Sequence, residues 1–153
     1  IFLCENNLYA MGTAWEYVSA VQQMSTKAKA YDITAEIVDG QDVLAMYEVT
    51  KRAVEHCKSG KGPYFIEAMT YRFRGHSMAD PETYREKDEV EERRSDDPII
   101  LFRDQLLEFN KAEQAEMDAI DQAIEDEIER AIQFADESSF PDPSTIYDHV
   151  YGE

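Results

Sequence analysis

Residues 35–70 read AEIVDGQDVLAMYEVTKRAVEHCKSGKGPYFIEAMT, and the fold turns on them. Ala35-Glu36-Ile37-Val38 is a short strand that stops at Asp39-Gly40. Asp42 stands where a helix cap belongs, because its side-chain oxygens accept from the first free backbone N–H groups of a helix. The apolar face of that helix is Leu44, Met46, Tyr47, Val49, Ala53, Val54 and Cys57. Ser59-Gly60-Lys61-Gly62-Pro63 stops it, and Tyr64 to Thr70 is strand-like again. Strand, helix, strand makes a βαβ unit with parallel strands and a right-handed crossover. In such sheets ligands sit outside the carboxyl ends of the strands.

Working back toward the start, Ile1 to Cys4 is a continuous apolar run, as expected for a strand buried on both faces. From Trp15 to Tyr31 the residues Val18, Val21, Ala28 and Tyr31 fall on one side, which predicts a helix. The chain opens inside a strand-like run without Met, so we expect it to be cut from a longer polypeptide, and its start carries no information on location.

Working forward, residues 73–97 mix Gly, Pro, Ser and many charges without a clean period, which predicts a long functional loop. Asp97-Pro98 opens a helix, with proline at its first position and Ile99, Phe102, Leu106 and Phe109 as its stripe. Met117, Ile120, Ile124, Ile128, Ala131 and Ala135 then recur at helical spacing, a strong amphipathic pattern. Pro141 and Pro143 begin a short tail. The expected architecture is therefore α/β: a partial parallel sheet with helices on both faces, followed by C-terminal amphipathic helices. The expected division is 1–72 for the sheet domain, 73–97 for the loop and 98–153 for a helical region of the same domain.

Composition narrows the function. The 153 residues carry a formal charge of −18. Residues 1–85 hold 9 basic and 11 acidic groups, whereas residues 86–153 hold 6 and 22. Such a balance argues against nucleic acid as a partner, because phosphate-backbone binding needs clustered Lys and Arg. No apolar run approaches the ~20 residues of a membrane span. Cys4 and Cys57 make no disulfide framework and no zinc-ligand spacing, and they read as core thiols.

Two clusters follow strands and carry candidate chemistry. In Glu5-Asn6-Asn7 an amide oxygen suits a hard cation such as Mg²⁺, which is often shared with substrate phosphates; the plainer reading is a pair of turn residues. In Arg72, Arg74, Gly75, His76 and Ser77, two guanidinium groups and an imidazole suit a phosphate or an enolate-like oxygen; the plainer reading is a solvated basic loop. Ser77, with Arg at −3 and −5, is a candidate for phosphorylation, which would bring roughly −1.5 to −2 charges beside His76. His56 reads as a helix residue, and His149 carries no assignment.

In this order and spacing the two clusters resemble one family. CENNLYAMGTA (4–14), VDGQDV (38–43), SGKGPYFIEAMTYRFRGHSMADPETYR (59–85) and SDDPI (95–99) are similar to the C-terminal part of alpha subunits of the thiamine-diphosphate-dependent 2-oxo acid dehydrogenases, pyruvate dehydrogenase above all. The resemblance implies that Asn6-Asn7 ends a motif whose Gly-Asp-Gly half lies upstream. It implies that Asn7 gives a side-chain oxygen, and Tyr9 its main-chain carbonyl, to Mg²⁺ beside thiamine diphosphate. His76 would be the catalytic loop histidine that reaches the diphosphate and the entrance. Ser77 would be the serine a dedicated kinase modifies in mitochondrial members, with Thr83 near a second such position and Ala14 at a lost third. Ala10 stands where many members have Gly. These departures imply a bacterial cytoplasmic protein, with the mitochondrial matrix as the alternative.

The implied reaction is oxidative decarboxylation of pyruvate with acetyl transfer to a lipoyl carrier. It would run at an alpha/beta interface in an α2β2 assembly that works with a lipoyl-bearing acetyltransferase. Sister enzymes acting on acetoin or branched-chain 2-oxo acids share these motifs. A noncatalytic fragment or interaction module is the reading of a different class.

Overall fold

In the computed structural model, residues 1–151 are described. The βαβ unit forms as the sequence predicts. Strand β1 spans Phe2–Asn6, β4 spans Thr34–Asp39 and β5 spans Tyr64–Met69. They make a parallel sheet in the order β1-β5-β4. A two-stranded antiparallel pair, β2 (Tyr9–Ala10) and β3 (Thr13–Ala14), follows β1.

Helix α3, Val43–Lys58, is capped as expected: Asp42 Oδ1 accepts from the N–H groups of Leu44 and Ala45. Its Val49 and Ala53 are fully buried and pack with Tyr64 and Ile66 of β5. Alternation along β5 puts Glu67 on the opposite face. There Glu67 meets helix α2, Met24–Lys29, so helices do cover both faces of the sheet. Gly40, just past β4, crosses Thr70 so closely that a Cβ would lie 2.5 Å from Thr70 Cγ2.

Four expectations change. The predicted helix over 15–31 is two short ones, α1 (Trp15–Val18) and α2, with a break between them. Within the break the Ser19 hydroxyl donates to the Val21 carbonyl, and the Gln22 amide to that of Ser19. Such side-chain bonds compete with the helix ladder, and the Glu67 carboxylate starts the chain afresh at Met24. Secondly, β1 is not buried on both faces: it is an edge strand, with Phe2 and Leu3 exposed. Thirdly, the segment 73–97 is not all loop. It contains α4 (Lys87–Arg93) and a 3₁₀ turn, Arg94–Asp96. Asp88 and Glu89 in the first turn and Arg93 in the last suit the helix dipole, a charge pattern that apolar periodicity does not register. Finally, helix α5 (Pro98–Glu108) ends before Phe109, and Ile99 in its first turn is exposed.

Helix α6 runs over Gln114–Glu137, with a capping box in which Glu113 and Glu116 bond each other's backbone N–H. A 3₁₀ turn, Pro143–Tyr147, follows. The chain divides into two compact units, Ile1–Glu108 and Phe109–Glu153. Among the described residues no helix is long and apolar enough to cross a membrane.

Candidate functional site

The two clusters found in the sequence meet at one small cleft of about 60 Å³, past the carboxyl ends of β1 and β5. Asn7, Tyr9 and His76 all line it, together with Arg72, Arg74 and Arg85. Ser77 lies beside His76, exposed and outside the lining. The cleft is thus cationic in a protein whose formal charge is −18. Neither Arg72 nor Arg74 is in a salt bridge among the described residues.

The first wall is the turn Asn6–Tyr9. Asn6 Oδ1 accepts from Leu8 N–H and Asn7 Oδ1 from Tyr9 N–H, both at 3.1 Å. Both asparagines therefore make the turns that their plainer reading predicts. An amide oxygen has two lone pairs, so Asn7 keeps one for a further partner. Between the two turns Leu8 adopts φ 67°. This left-handed conformation is unfavourable for a side chain with a Cβ and persists where neighbours impose it.

One neighbour that imposes it is Glu67, which the sequence reading passed over. It is fully buried, and Asn6 Nδ2 donates to it at 2.7 Å. Met24 and Ser25 N–H donate to it at 3.0 and 2.7 Å. Burial works to raise the carboxyl pKa, but the Ser25, Met24 and Asn6 donors together hold it below the ordinary value. Glu67 is therefore a charged anchor joining β5, α2 and the asparagine turn. The signal available in sequence was a lone acid within the run Tyr64-Phe65-Ile66-Glu67-Ala68.

The second wall is the loop after β5. Asp80 Oδ2 accepts from His76 N–H at 2.7 Å and from the Tyr84 hydroxyl at 2.8 Å. Glu82 accepts from Gly75 N–H at 2.8 Å and ion-pairs with Arg85. At Gly75 a Cβ would lie 2.9 Å from Glu82 Cγ, so a side chain there would push Glu82 and Asp80 aside. The backbone donors lower the Asp80 carboxyl pKa, and the Arg85 bond lowers that of Glu82. The Arg85 side chain is only 3 % exposed. It lies against the rings of Tyr9, Tyr71 and Tyr84 and donates to the Arg72 carbonyl. Tyr9 and Tyr71 also share one carboxylate oxygen of Glu89, from α4, at 2.8 and 3.0 Å. Burial first, and the Glu89 carboxylate second, push the Tyr9 hydroxyl pKa up to about 12.

Among the described residues no group of three His, Cys, Asp or Glu could hold a metal ion. A divalent cation here would depend on Asn7 Oδ1, on main-chain carbonyls such as that of Tyr9, and on oxygens brought by an anionic ligand. That donor set fits Mg²⁺ carried on a diphosphate, since Mg²⁺ takes few protein ligands and shares phosphate oxygens. A second cleft of about 480 Å³, at the ends of β4 and β5, contains none of the sequence-predicted site residues. The Thr70 hydroxyl, on its lining, has no hydrogen-bond partner among the described residues.

The family model for the dehydrogenase E1 component matches residues 1–144. The chain is 42% identical over 151 residues to the pyruvate dehydrogenase E1 component subunit alpha of Rhizobium meliloti, covering 98% of this chain and 43% of that protein. It is 42% identical over 153 residues to the mitochondrial somatic form from Bos taurus, covering 99% and 39%. It is 37% identical to the chloroplastic alpha-3 subunit of Oryza sativa, covering 100% and 36%. The chain thus spans about two fifths of the length of these relatives.

Proposed function

Because the chain belongs to the dehydrogenase E1 component family, we propose that it is the C-terminal part of an alpha subunit that oxidatively decarboxylates pyruvate and passes the acetyl group to a lipoyl carrier. The observation that carries this reading is the convergence of Asn7, Tyr9 and His76 on one cationic cleft. Thiamine diphosphate, when bound, supplies the carbanion chemistry of such a reaction. This chain's residues do the rest of the work on its side of the site. Asn7 Oδ1 and the Tyr9 carbonyl would hold Mg²⁺, while Arg72 and Arg74 would attract the anionic end of the cofactor. His76, exposed at the rim, presents its imidazole to the ligand as donor or acceptor. Ser77 adjoins it, so a phosphate there would set like charge against an anionic ligand. The partners in this reading are a beta subunit in an α2β2 assembly and the lipoyl-bearing acetyltransferase. Ala10, where many members have Gly, and Ala14, which lacks a hydroxyl, favour a bacterial cytoplasmic setting.

The test is calorimetric titration of thiamine diphosphate with Mg²⁺ into the complete alpha subunit joined to its beta subunit. Asn7→Ala is expected to weaken binding by about tenfold or more. His76→Ala is expected to lower acetyl transfer by a factor of order 10² or more while the fold persists. Unchanged affinity in the first variant removes Asn7 as a ligand, and normal turnover in the second returns His76 to a plain loop. A substrate panel of pyruvate, branched-chain 2-oxo acids and acetoin decides among the sister activities.

A further inference from the structure

Tyr9 plays two parts in the geometry. Its main chain belongs to the turn that presents the cleft, while its hydroxyl reaches Glu89 on α4. Both Tyr9 and Tyr71 hydroxyls donate to the same Glu89 oxygen, at 2.8 and 3.0 Å. Tyr71 lies just past β5 and is buried. The sheet therefore holds Tyr71, Tyr71 holds Glu89, and Glu89 holds Tyr9. At the other end of the turn Glu67 holds Asn6. Between these two grips sits Leu8, at φ 67°, a conformation its own side chain does not favour. A strained turn gripped at both ends by carboxylates is a turn whose backbone direction matters.

We infer that Glu89 is a positioning residue: through the Tyr9 hydroxyl it fixes the turn that presents the Asn7 and Tyr9 oxygens to a divalent cation. This rests on the reading of the cleft as a Mg²⁺–diphosphate site. Groups outside the direct ligands commonly change metal affinity by about 10- to 100-fold when removed, and Glu89 acts here at one further remove.

The test measures the Mg²⁺ dependence of thiamine diphosphate binding in the complete alpha–beta enzyme, by calorimetry. Glu89→Leu removes the acceptor and is expected to raise the Mg²⁺ requirement about tenfold. Glu89→Gln keeps a carbonyl oxygen for both hydroxyls and is expected to stay within about twofold of the parent. Tyr9→Phe removes only the hydroxyl and leaves the main-chain carbonyl and ring in place. It should reproduce the loss of Glu89→Leu, and the double variant should lose no more than either single one. Tyr9→Phe also covers the case in which Glu89→Leu does not fold.

Parent-like Mg²⁺ dependence in Tyr9→Phe overturns the inference. So does an equal loss in Glu89→Gln and Glu89→Leu, which would mean that the charge, not the bridge, was at work. Asn7→Ala, titrated alongside, separates the two claims. If it too is unaffected, the Mg²⁺ site itself is misread; if it alone weakens binding, only the bridge fails.

Discussion

Helices α3 and α6 have the same kind of sequence and different fates. Each shows an apolar stripe at helical spacing with charged flanks. In α3 the middle of the stripe is covered: Val49 and Ala53 have no exposed surface, packed beneath β5, while Leu44 and Tyr47 near its start stay exposed. In α6 the stripe stays open, with Ile120, Ile124, Ile128 and Ile132 each about half exposed. The capping is sound in both helices, by Asp42 in one and the Glu113–Glu116 box in the other. Periodicity and caps thus specify that a helix forms and which face is apolar. They do not specify what lies against that face. That depends on the strands brought to it by the rest of the chain.

The largest expected effect sharpens this contrast directly. Ala53→Asp buries an unpaired charge and should cost about 4 kcal/mol or more, enough to unfold the sheet unit. Ile124→Asp, on the open stripe of α6, should change the stability of this chain by no more than about 0.5 kcal/mol. Urea titrations followed by circular dichroism compare them. Equal losses would break the comparison and mean that the α6 stripe is covered within this chain.

A smaller effect tests the caps. Asp42→Ala should cost about 1 kcal/mol, because α3 must stay docked for the core to persist. Glu113→Ala should fray the start of α6 and leave the unfolding midpoint of the sheet unit in place. A midpoint shift in Glu113→Ala as large as that in Asp42→Ala would show that the two helices unfold together.

The smallest effect is in acid. Glu36 on β4 is held below its ordinary value of 4.5, first by the Arg52 hydrogen bond from α3 and then by the Tyr64 hydroxyl. Its folded pKa lies below its unfolded one, so its stabilising contribution is complete above about pH 4.5 and is lost as pH falls through the folded value. Stability of the parent should therefore decline below that point, and Arg52→Leu should flatten part of the decline. An unchanged slope in Arg52→Leu would mean that the pair does not tether α3 to β4.

Much of this was legible from sequence, and the reasons are particular. Asp42, the Gly60–Pro63 stop and the two flanking apolar runs give the βαβ unit, because each is a local signal. Asn7, Tyr9 and His76 were singled out because their neighbours resemble a known family, and they line one cleft. The two carboxylates that brace the turn were not found. Glu67 looks like a charge out of place within a strand, and its meaning lies in donors 42 to 61 residues away in sequence. Glu89 is one acid among 33 Asp and Glu, and its partners come from two other elements. The break between α1 and α2 was missed in part for the same reason: Ser19 and Gln22 open it locally, but the distant Glu67 sets where α2 starts. Helix α4 was missed because its order comes from end charges and Tyr contacts rather than from an apolar stripe.

The strand order has a consequence for how the protein is made. The central strand, β5, is the last of the three to be synthesised, and among the described residues both β1 and β4 pair with it. After Asn6 leaves the ribosome, 57 further residues precede Tyr64. At ordinary rates of roughly 5–20 residues per second, β1 waits about 3–12 s for its partner. Throughout that interval Phe2 and Leu3 lack the β5 backbone with which they pair in the folded sheet. Slowing translation just before β5 should therefore lower the yield of folded protein more than an equal pause after it.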